Sequence, residues 1–336
     1  MQVIIYTEAD KFELLADEWA DLLSRSASAP FFMNHLYQTI WWLHLGNDDL
    51  RLITIRSDQG QLVGLASLYL KTLSDGERQL TFVGCVDVSD YLDVLVDVDH
   101  VERVHQALLD ALAGENLVWD KLYLCSLPQR SLTFTHLAEA ARQRGWRVRV
   151  TQQDVCPVIT LPPSWDEYLA GLNKKQRHEI RRKMRKIETE AVTAWKVVES
   201  PDEVEAAMEL FVQLHQKSTR EKEGFWSDSL ISFFKNITRA LAAVGWLKLY
   251  FIEVNGVSAA SMLAFDYNNE FLLYNSGYDP DQFAPLSPGN VLTAYTIRHA
   301  IELGRKRYDF LRGDEIYKFR FGGQPEPVYD VEIWRK

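Results

Sequence analysis

The sequence predicts a mixed α/β protein built from two related domains, and three observations support this prediction. Helical and strand periodicities alternate along the chain, which is typical of sheets flanked by helices. The segments LRLITIRSDQGQLVGLASLYL and WLKLYFIEVNGVSAASMLAFD have the same layout of strand, glycine-containing turn and strand, roughly 195 residues apart. A length of 336 residues corresponds to about two domains of roughly 150 residues each.

The first half of the chain alternates helices and strands whose ends carry turn residues. A helix is predicted for Asp10 to Leu23, because its apolar residues recur on one side. Ser57-Asp58-Gln59-Gly60 predicts a hairpin turn, since glycine adopts positive φ easily, and Gly114 ends a second helix. The predicted strands are Leu50 to Arg56, Leu62 to Tyr69, Gln79 to Val83, Tyr91 to Val96 and Lys121 to Cys125, and the second helix is Val101 to Leu112.

The second half repeats this order of elements. Asn255-Gly256 is the strongest short hairpin signal in the chain, and Gly304 ends a helix. The alternation of Val328 to Trp334 predicts a last strand. The other predicted helices are Val204 to Lys217, Leu230 to Ala243 and Asn290 to Leu303, and the other strands are Leu247 to Glu253, Val257 to Asp266, Glu270 to Tyr278 and Arg307 to Leu311.

A basic helix over residues 164–190 is predicted between the two copies. Ser164 followed by Glu167 forms a capping box at its start. Residues 174–186 hold eight Lys or Arg and one Glu, a charge of +7, so the remainder of a chain with net charge −10 carries −17. Such a run either binds an anion or is a solvated face paired with acidic residues. We expect Arg177 and Arg181, which share a helical face, to contact phosphate or carboxylate groups.

Charge and cysteine spacing exclude several classes of protein. An excess of 47 Asp and Glu over 37 Lys and Arg argues against a dedicated nucleic-acid-binding protein. Cys85, Cys125 and Cys156 form no CxxC pair, so we expect reduced buried thiols and neither a disulfide framework nor a zinc site. The first residues lack the pattern of an export signal, and polar residues interrupt 26–47, which excludes a membrane span there. We therefore expect a cytoplasmic protein.

Four segments carry a resemblance to a known family: LNKKQRHEIRRKMRKIE, YDFLRGDEIYKFRFGG and, in the first half, PFFMNHLYQTIWW and FVGCVDVSDYLDVLV. Over essentially its whole length the chain resembles the CelD-like family of tandem GNAT acyltransferases, which are related to the Fem aminoacyl ligases. GNAT enzymes transfer an acyl group from a thioester carrier, usually coenzyme A, to an amine or hydroxyl. In the Fem relatives the donor is an aminoacyl-tRNA and the acceptor is a peptidoglycan precursor.

This resemblance implies two tandem GNAT-like domains, each a mixed twisted sheet flanked by helices. The expected N-terminal domain comprises residues 1–155 plus 325–336 and is degenerate, with the last strand returning to its sheet. The expected C-terminal domain, residues 156–324, is catalytic and is opened by the basic helix. The expected reaction moves an acyl group, acetyl first among them, from acetyl-CoA or another acyl-CoA to a small-molecule, sugar, lipid or peptide acceptor, without a metal or stable DNA binding.

The run from Asp309 to Lys318 contains most of the candidate catalytic groups. Acyl transfer requires removal of a proton, stabilisation of an oxyanion and protonation of the leaving group. We assign charge stabilisation to Lys318, in resemblance to a lysine near the end of the Fem fold, and proton donation to Tyr317. The base is Asp314 or Glu315, and Asp309 completes the catalytic set. The alternative is that Tyr317 and Phe319 face a core while Lys318 and Asp314 are solvated.

The expected donor and acceptor sites lie elsewhere in the chain. In the place of the family's glycine-rich phosphate loop stand Leu286-Ser287-Pro288-Gly289-Asn290, and we expect Ser287, Gly289 and Asn290 to bind the donor's phosphates at a helix N-terminus. The predicted donor contacts also include Arg177 and Arg181, and the predicted acceptor contacts are Asp90, Tyr91, Asp93, Trp226 and Arg312. Two alternatives remain open: a Fem-like ligase that uses aminoacyl-tRNA, and a catalytically inactive binding module.

Overall fold

The structure, a computed structural model, places the alternating strands and helices in two units. It describes residues 1–46, 49–85, 88–115 and 117–335. Unit 1 comprises Met1–Asp154 and Glu326–Lys336, and unit 2 comprises Val155–Pro325. Unit 2 is therefore one uninterrupted stretch of chain, whereas unit 1 is made of two.

Unit 1 alternates helices with the strands of a mixed sheet, which contains both antiparallel and parallel strand pairs. Its elements are β1 (Gln2–Tyr6), α1 (Lys11–Leu14), α2 (Ala16–Arg25), α3 (His35–Leu45), β2 (Asp49–Arg56), β3 (Leu62–Thr72), β4 (Arg78–Phe82), β5 (Leu95–Val96), α4 (Val101–Ala113), β6 (Lys121–Pro128), α5 (Ala138–Gln143) and β7 (Arg147–Thr160). A 3₁₀ turn, Phe31–Met33, precedes α3, and a π-helical turn, Thr133–Leu137, precedes α5. Strand β7 passes from unit 1 into unit 2.

The sheet of unit 1 includes the last strand of the chain, β13 (Gln324–Trp334). Its strand order is β1-β2-β3-β4-β6-β13-β7, with β5 paired to β3. Strand β13 runs antiparallel to β6, with Ile333 opposite Leu122, so the returning segment completes this sheet. Helices α2 and α3 bury large aromatic side chains, Trp19 and Trp41, against it.

Unit 2 also consists of helices and the strands of a mixed sheet. Its elements are α6 (Trp165–Gly171), α7 (Lys174–Glu190), β8 (Thr193–Val198), α8 (Val204–Ser218), α9 (Arg220–Phe225), α10 (Asp228–Ala243), β9 (Leu247–Val254), β10 (Val257–Tyr267), β11 (Glu270–Tyr278), α11 (Pro280–Phe283), α12 (Pro288–Glu302), β12 (Arg307–Asp309) and α13 (Ile316–Arg320). The strand order is β7-β12-β11-β10-β9-β8. Strands β9 and β10 form the hairpin predicted at Asn255-Gly256, and β11 has the predicted bounds.

Three predicted elements differ from the structure because local chain geometry interrupts them. The helix predicted over 164–190 is two helices, since α6 ends at Gly171 and Asn173 starts α7 by accepting a hydrogen bond from the Gln176 N–H at 2.9 Å. The predicted capping box at Ser164 is present. The helix predicted from Asp10 is divided between α1 and α2, and the strand predicted from Tyr91 contracts to β5.

The prediction of three reduced thiols is wrong for two of the cysteines. Strand β6 places Cys125 beside Cys85, which follows β4, and the structure joins them by a disulfide. A separation of 40 residues hides this proximity in the sequence, because β4 and β6 are neighbouring parallel strands only in the folded sheet. Cys156 is buried and is not disulfide-bonded.

Glycine at position 277 permits a close approach between β11 and α8. A Cβ atom there would lie 2.6 Å from the Leu214 carbonyl carbon and 2.8 Å from the His215 Cα atom. Both are backbone atoms of a helix, which cannot move aside as the end of a flexible side chain does.

We therefore expect Gly277→Ala to lower the free energy of unfolding by about 2 kcal/mol, as other overpacked cores do. Chemical denaturation followed by tryptophan fluorescence measures this change. Gly171→Ala is the matched control, because a Cβ at Gly171 meets open space. Equal stability of the two variants would contradict the close approach.

Candidate functional site

The two central parallel strands of unit 2 separate after three residue pairs. Strand β11 pairs with β12 only from Glu270 opposite Arg307 to Leu272 opposite Asp309. Beyond Asp309 the chain turns toward β7, where the Phe310 N–H donates to the Pro157 carbonyl. The last six residues of β11 therefore have no partner on the β12 side, and a cleft opens there.

A cavity of about 350 Å³ occupies this cleft in front of the N-terminus of α12. Its lining includes Ser276 of β11, Ser287, Gly289, Asn290 and Tyr317. Three of the predicted donor-binding residues and the predicted proton donor are thus brought together in one cavity. Met262, an apolar residue of β10, also lines this cavity.

The N-terminus of α12 presents hydrogen-bond donors that nothing in the described part of the chain uses. Ser287, at the N-cap, has a left-handed backbone with φ 52° and makes no side-chain cap. The first helical hydrogen bond runs from the Val291 N–H to the Ser287 carbonyl. The N–H groups of Gly289 and Asn290 accordingly remain available, and they lie at the positive end of a fifteen-residue helix.

Tyr317 projects from α13 into the same cavity. Its ring packs edge-on against Phe310 with centroids 6.0 Å apart. Burial, with a further contribution from the Glu315 carboxylate, raises the pKa of the Tyr317 phenol well above its ordinary value. The phenol therefore stays protonated, and among the described residues none accepts or donates a hydrogen bond at its hydroxyl.

Lys318 is buried rather than solvated, with 3% of its surface exposed. Its ammonium donates to the carbonyls of Leu311, Arg312 and Gly313 at 3.2, 2.7 and 3.2 Å, and it pairs with Glu315 at 2.9 Å. These contacts hold the turn that leads the chain away from β11. The solvated alternative for Lys318 is thus wrong, and the ammonium is already committed to the protein.

Asp309 supports the same turn from the end of β12. Its carboxylate accepts a hydrogen bond from the Leu311 N–H at 2.7 Å. Leu311 has φ 55° and Gly313 has φ 118°, so two residues of this turn, on either side of Arg312, depart from the ordinary backbone region. Asp309 is buried in this role, whereas Asp314 is exposed and does not line the cavity. Arg312 is half-buried, with its carbonyl bound by Lys318.

Sequence reasoning missed Lys222, whose ammonium reaches the cleft from α9. It donates to the carbonyl of Ser276, at the unpaired edge of β11. The pKa of Lys222 is lowered to about 8, chiefly by burial; the Glu315 carboxylate opposes this lowering, and the nearby Lys318 ammonium adds to it. The residue lies between two glutamates in a short polar segment, and no sequence pattern distinguishes it from a surface lysine.

A buried polar network supports the segment that carries Lys222. The indole N–H of Trp226 donates to Nδ1 of His215 at 3.0 Å, and Nε2 of His215 lies 3.0 Å from Oδ1 of Asn275. Burial lowers the pKa of His215 to about 4, so its ring is neutral and donates to Asn275. Trp226, predicted to contact the acceptor, is thus a member of this network, and it does not line the described cavity.

The two arginines predicted to bind the donor are directed elsewhere. The Arg177 guanidinium donates to the carbonyls of Ala170 and Leu172 at 3.2 and 3.4 Å, where α6 ends. The Nη1 atom of Arg177 thus binds the carbonyls at the end of α6, and the phosphate contact of Arg177 stays a prediction. Arg181 is exposed and lines neither described cavity of this region.

The predicted acceptor residues of unit 1 are buried or partly buried in that unit. Asp93 is 1% exposed, and its carboxylate accepts hydrogen bonds from the hydroxyls of Ser131 at 2.8 Å and Thr133 at 2.6 Å. Burial raises the pKa of Asp93 to about 6. The predicted contact of Asp93 with an acceptor amine is wrong, because its oxygens lie inside the unit. Tyr91 is also buried, and Asp90 is half-buried.

The described residues bring no group of three or more His, Cys, Asp or Glu side chains into a metal-binding arrangement. Across the same residues, none of the helices combines the length and the apolar character needed to cross a bilayer.

Comparison with known proteins identifies the domain that holds the cavity. Residues 174–319 match the family model described as the acetyltransferase (GNAT) domain. Most of unit 2 is therefore similar to a GNAT domain. No curated protein matches the chain.

Solved structures show that the whole chain has a fold known from other proteins. It is similar to FemX, with a TM-score of 0.68 and 12% identity over 98% of this chain and 97% of that one. It is also similar to the C-terminal domain of a putative lysylphosphatidylglycerol synthetase from Agrobacterium fabrum, with a TM-score of 0.58 and 12% identity over 97% and 93%. A tandem GNAT protein from the clavulanic acid biosynthesis pathway matches with a TM-score of 0.50 and 16% identity over 98% of both chains. The predicted fold class is confirmed.

The buried Asp93 makes stability depend on pH. Its pKa of about 6 in the folded protein lies above the ordinary value of 3.8, so folding favours the protonated acid. Its contribution is fully present below pH 3.8 and is lost as the pH rises through 6. We expect the unfolding free energy of wild type, relative to Asp93→Asn, to fall by about 1–2 kcal/mol between pH 4.5 and 7.5. Denaturation curves at both pH values measure this difference, and a constant difference would contradict the buried acid.

Proposed function

We propose that unit 2 catalyses transfer of an acyl group, acetyl first among the candidates, from an acyl-CoA thioester to an amine or hydroxyl acceptor. One observation carries the proposal: a protonated phenol, Tyr317, shares a cavity with the two unused N–H groups of Gly289 and Asn290. The same cavity thus offers a proton donor for a leaving group and a binding site for an anion. The GNAT domain match supports this reaction class.

The donor would enter the cleft between β11 and β12 with its phosphates toward α12. Backbone N–H groups and the positive helix end favour a phosphate ester, as at other helix N-termini. Gly289 leaves room for this approach, because a Cβ built there meets no atom within 4 Å. The unpaired edge of β11 near Ser276 would run along the rest of the donor and direct the thioester toward Tyr317.

The reaction would move one proton from the acceptor to the sulfur. The acceptor nitrogen attacks the thioester carbon, the carbon–sulfur bond breaks, and the Tyr317 hydroxyl protonates the departing thiolate. Lys222, whose pKa of about 8 leaves part of it neutral near that pH, accepts the proton from the acceptor. Both side chains return to their starting states by proton exchange with solvent.

The remaining charged residues of the turn have positioning roles in this proposal. Lys318 holds the carbonyls of residues 311–313 and so keeps Tyr317 facing the cavity. Glu315 stabilises the ammonium of Lys318 and is the alternative proton acceptor, because it lies close enough to Lys222 to oppose the lowering of its pKa.

A second candidate function is supported by the similarity to FemX. In the Fem ligases the donor is an aminoacyl-tRNA, and the same site would then protonate the ribose oxygen of the leaving tRNA rather than a thiolate. Product analysis by mass spectrometry, with acetyl-CoA and aminoacyl-tRNA supplied separately, distinguishes the two donors. Ligand binding without any product would favour the inactive binding module.

Gly289→Val tests the donor site. The added side chain would project into the cavity, which has open space at that point, so the protein should fold while the phosphate approach is obstructed. We expect the dissociation constant for acetyl-CoA, measured by calorimetry, to rise at least about tenfold, as loss of a charge-assisted hydrogen bond does. Gly171→Val, also in open space, is the control. Unchanged affinity in a folded Gly289→Val variant would exclude this loop.

Tyr317→Phe tests the proton donor. We expect kcat to fall about 10²-fold, because general acid catalysis is lost, while the dissociation constant for acetyl-CoA changes little. Tyr295→Phe is the matched control, since the Tyr295 hydroxyl binds Glu188 on the surface, outside the cavity. Steady-state kinetics with calorimetry separates the two effects. Full turnover of Tyr317→Phe would remove this residue from the mechanism.

A further inference from the structure

A second cavity, of about 520 Å³, lies in unit 2 between α7, the start of α12 and the end of α13. Its lining includes Lys175, Lys183 and Arg320, together with Glu179 and Asn290. Asn290 also lines the cavity that holds Tyr317, so the two cavities share a wall. A single extended molecule would therefore reach both.

The lining of this cavity, called here the cationic cavity, has an excess of positive charge. Three cations, Lys175, Lys183 and Arg320, face one carboxylate, Glu179. Glu179 already forms a bidentate pair with Arg182 at 2.7 and 2.9 Å and lies 3.7 Å from Lys183. Within the described ranges, neither Lys175 nor Arg320 has an ion-pair partner.

The cations of the cavity repel one another in the empty site. Burial lowers the pKa of Lys183, the Glu179 carboxylate opposes this lowering, and the charges of Arg182 and Arg320 add to it. An anion held among these side chains would offset that repulsion and favour the charged form of Lys183. The start of α7, at Asn173, also lines the cavity and adds the positive end of a seventeen-residue helix.

The geometry of α7 separates this set of cations from the remaining basic residues. Lys175, Glu179 and Lys183 follow one another at intervals of four residues and therefore share one stripe of the helix. Arg181 and Arg185 lie on the opposite side, since two residues correspond to about 200° of rotation. The run of positive charge in the sequence is thus divided between a cavity wall and an exposed face.

We propose that the cationic cavity binds the phosphomonoester of a nucleotide, and that this nucleotide is the distal end of the acyl donor. The cavity is larger than a phosphate ion requires, and amide side chains beside the cations offer hydrogen bonds to the rest of a nucleotide. The inference rests on the proposed function for the identity of the donor. It adds a second anion site, supplied by α7 and α13, to the one at the start of α12.

The test compares coenzyme A with 3′-dephospho-coenzyme A, which lacks the phosphomonoester. The cavity variant is the triple substitution Lys175→Gln, Lys183→Gln and Arg320→Gln, and the control is Lys174→Gln, Arg181→Gln and Arg185→Gln, which removes the same charge outside the cavity. We expect the cavity variant to bind coenzyme A at least about tenfold more weakly, by the loss of charge-assisted contacts, and the dephospho form almost unchanged. The control should leave both affinities within about twofold.

Gly289→Val separates this inference from the proposed function. It should weaken coenzyme A and the dephospho form alike, because it acts on the phosphates at α12. If Gly289→Val weakens binding and the cavity variant binds coenzyme A as wild type does, the cationic cavity is excluded and the proposed donor stands. Melting curves establish that each variant is folded.

If wild type binds no coenzyme A, the proposed donor is wrong, and adenosine 3′,5′-bisphosphate becomes the probe. Binding of this nucleotide by wild type and its loss in the cavity variant would support the nucleotide site without that donor. Absence of binding would overturn it. Binding of an RNA hairpin with a CCA end, lost in the control variant and kept in the cavity variant, would assign the exposed face of α7 to RNA and also overturn it.

Discussion

The separation of β11 from β12 is the constraint on which the site depends. It arises because the chain beyond Asp309 hydrogen-bonds to β7, with Gly313 N–H donating to the Val155 carbonyl, instead of continuing along β11. Lys318 fixes this path by binding three successive carbonyls. This turn after Asp309 leaves the edge of β11 unpaired, opens the cavity and positions Tyr317. The buried ammonium of Lys318, which holds the turn, therefore determines the shape of the site.

Much of the fold follows from sequence pattern alone. The bounds of β9, β10 and β11 were predicted almost to the residue, because short apolar runs separated by turn residues such as Asn255-Gly256 indicate buried strands. The hairpin at Asn255-Gly256 and the capping box at Ser164 are local rules that the structure obeys. Features that depend on residues far apart in the sequence, such as the pairing of Cys85 with Cys125, were not predicted.

The candidate site was predictable in part, and the residues show why. Tyr317, Gly289 and Asn290, which line one cavity, could be selected as candidates because a dense run of titratable groups and a helix start are visible locally. Lys222 was not, since its low pKa comes from burial by elements far apart in sequence. On α7 the basic run was recognised, but the side chain chosen, Arg177, closes the end of α6 while Lys183 faces the cavity. Helix periodicity shows which residues of α7 share a face, but it does not show which face packs against the rest of unit 2.

Unit 1 is formed by two separate segments of the chain, and this has a consequence for synthesis on the ribosome. Strand β13 lies between β6 and β7 in its sheet, yet it follows every helix and strand of unit 2 in the chain. Until then β6 presents an unsatisfied strand edge, the kind of surface that recruits foreign strands. Unit 2, being continuous, has its complete sequence before unit 1 does. The nascent chain therefore completes the sheet of unit 1 only after all of unit 2 has been made.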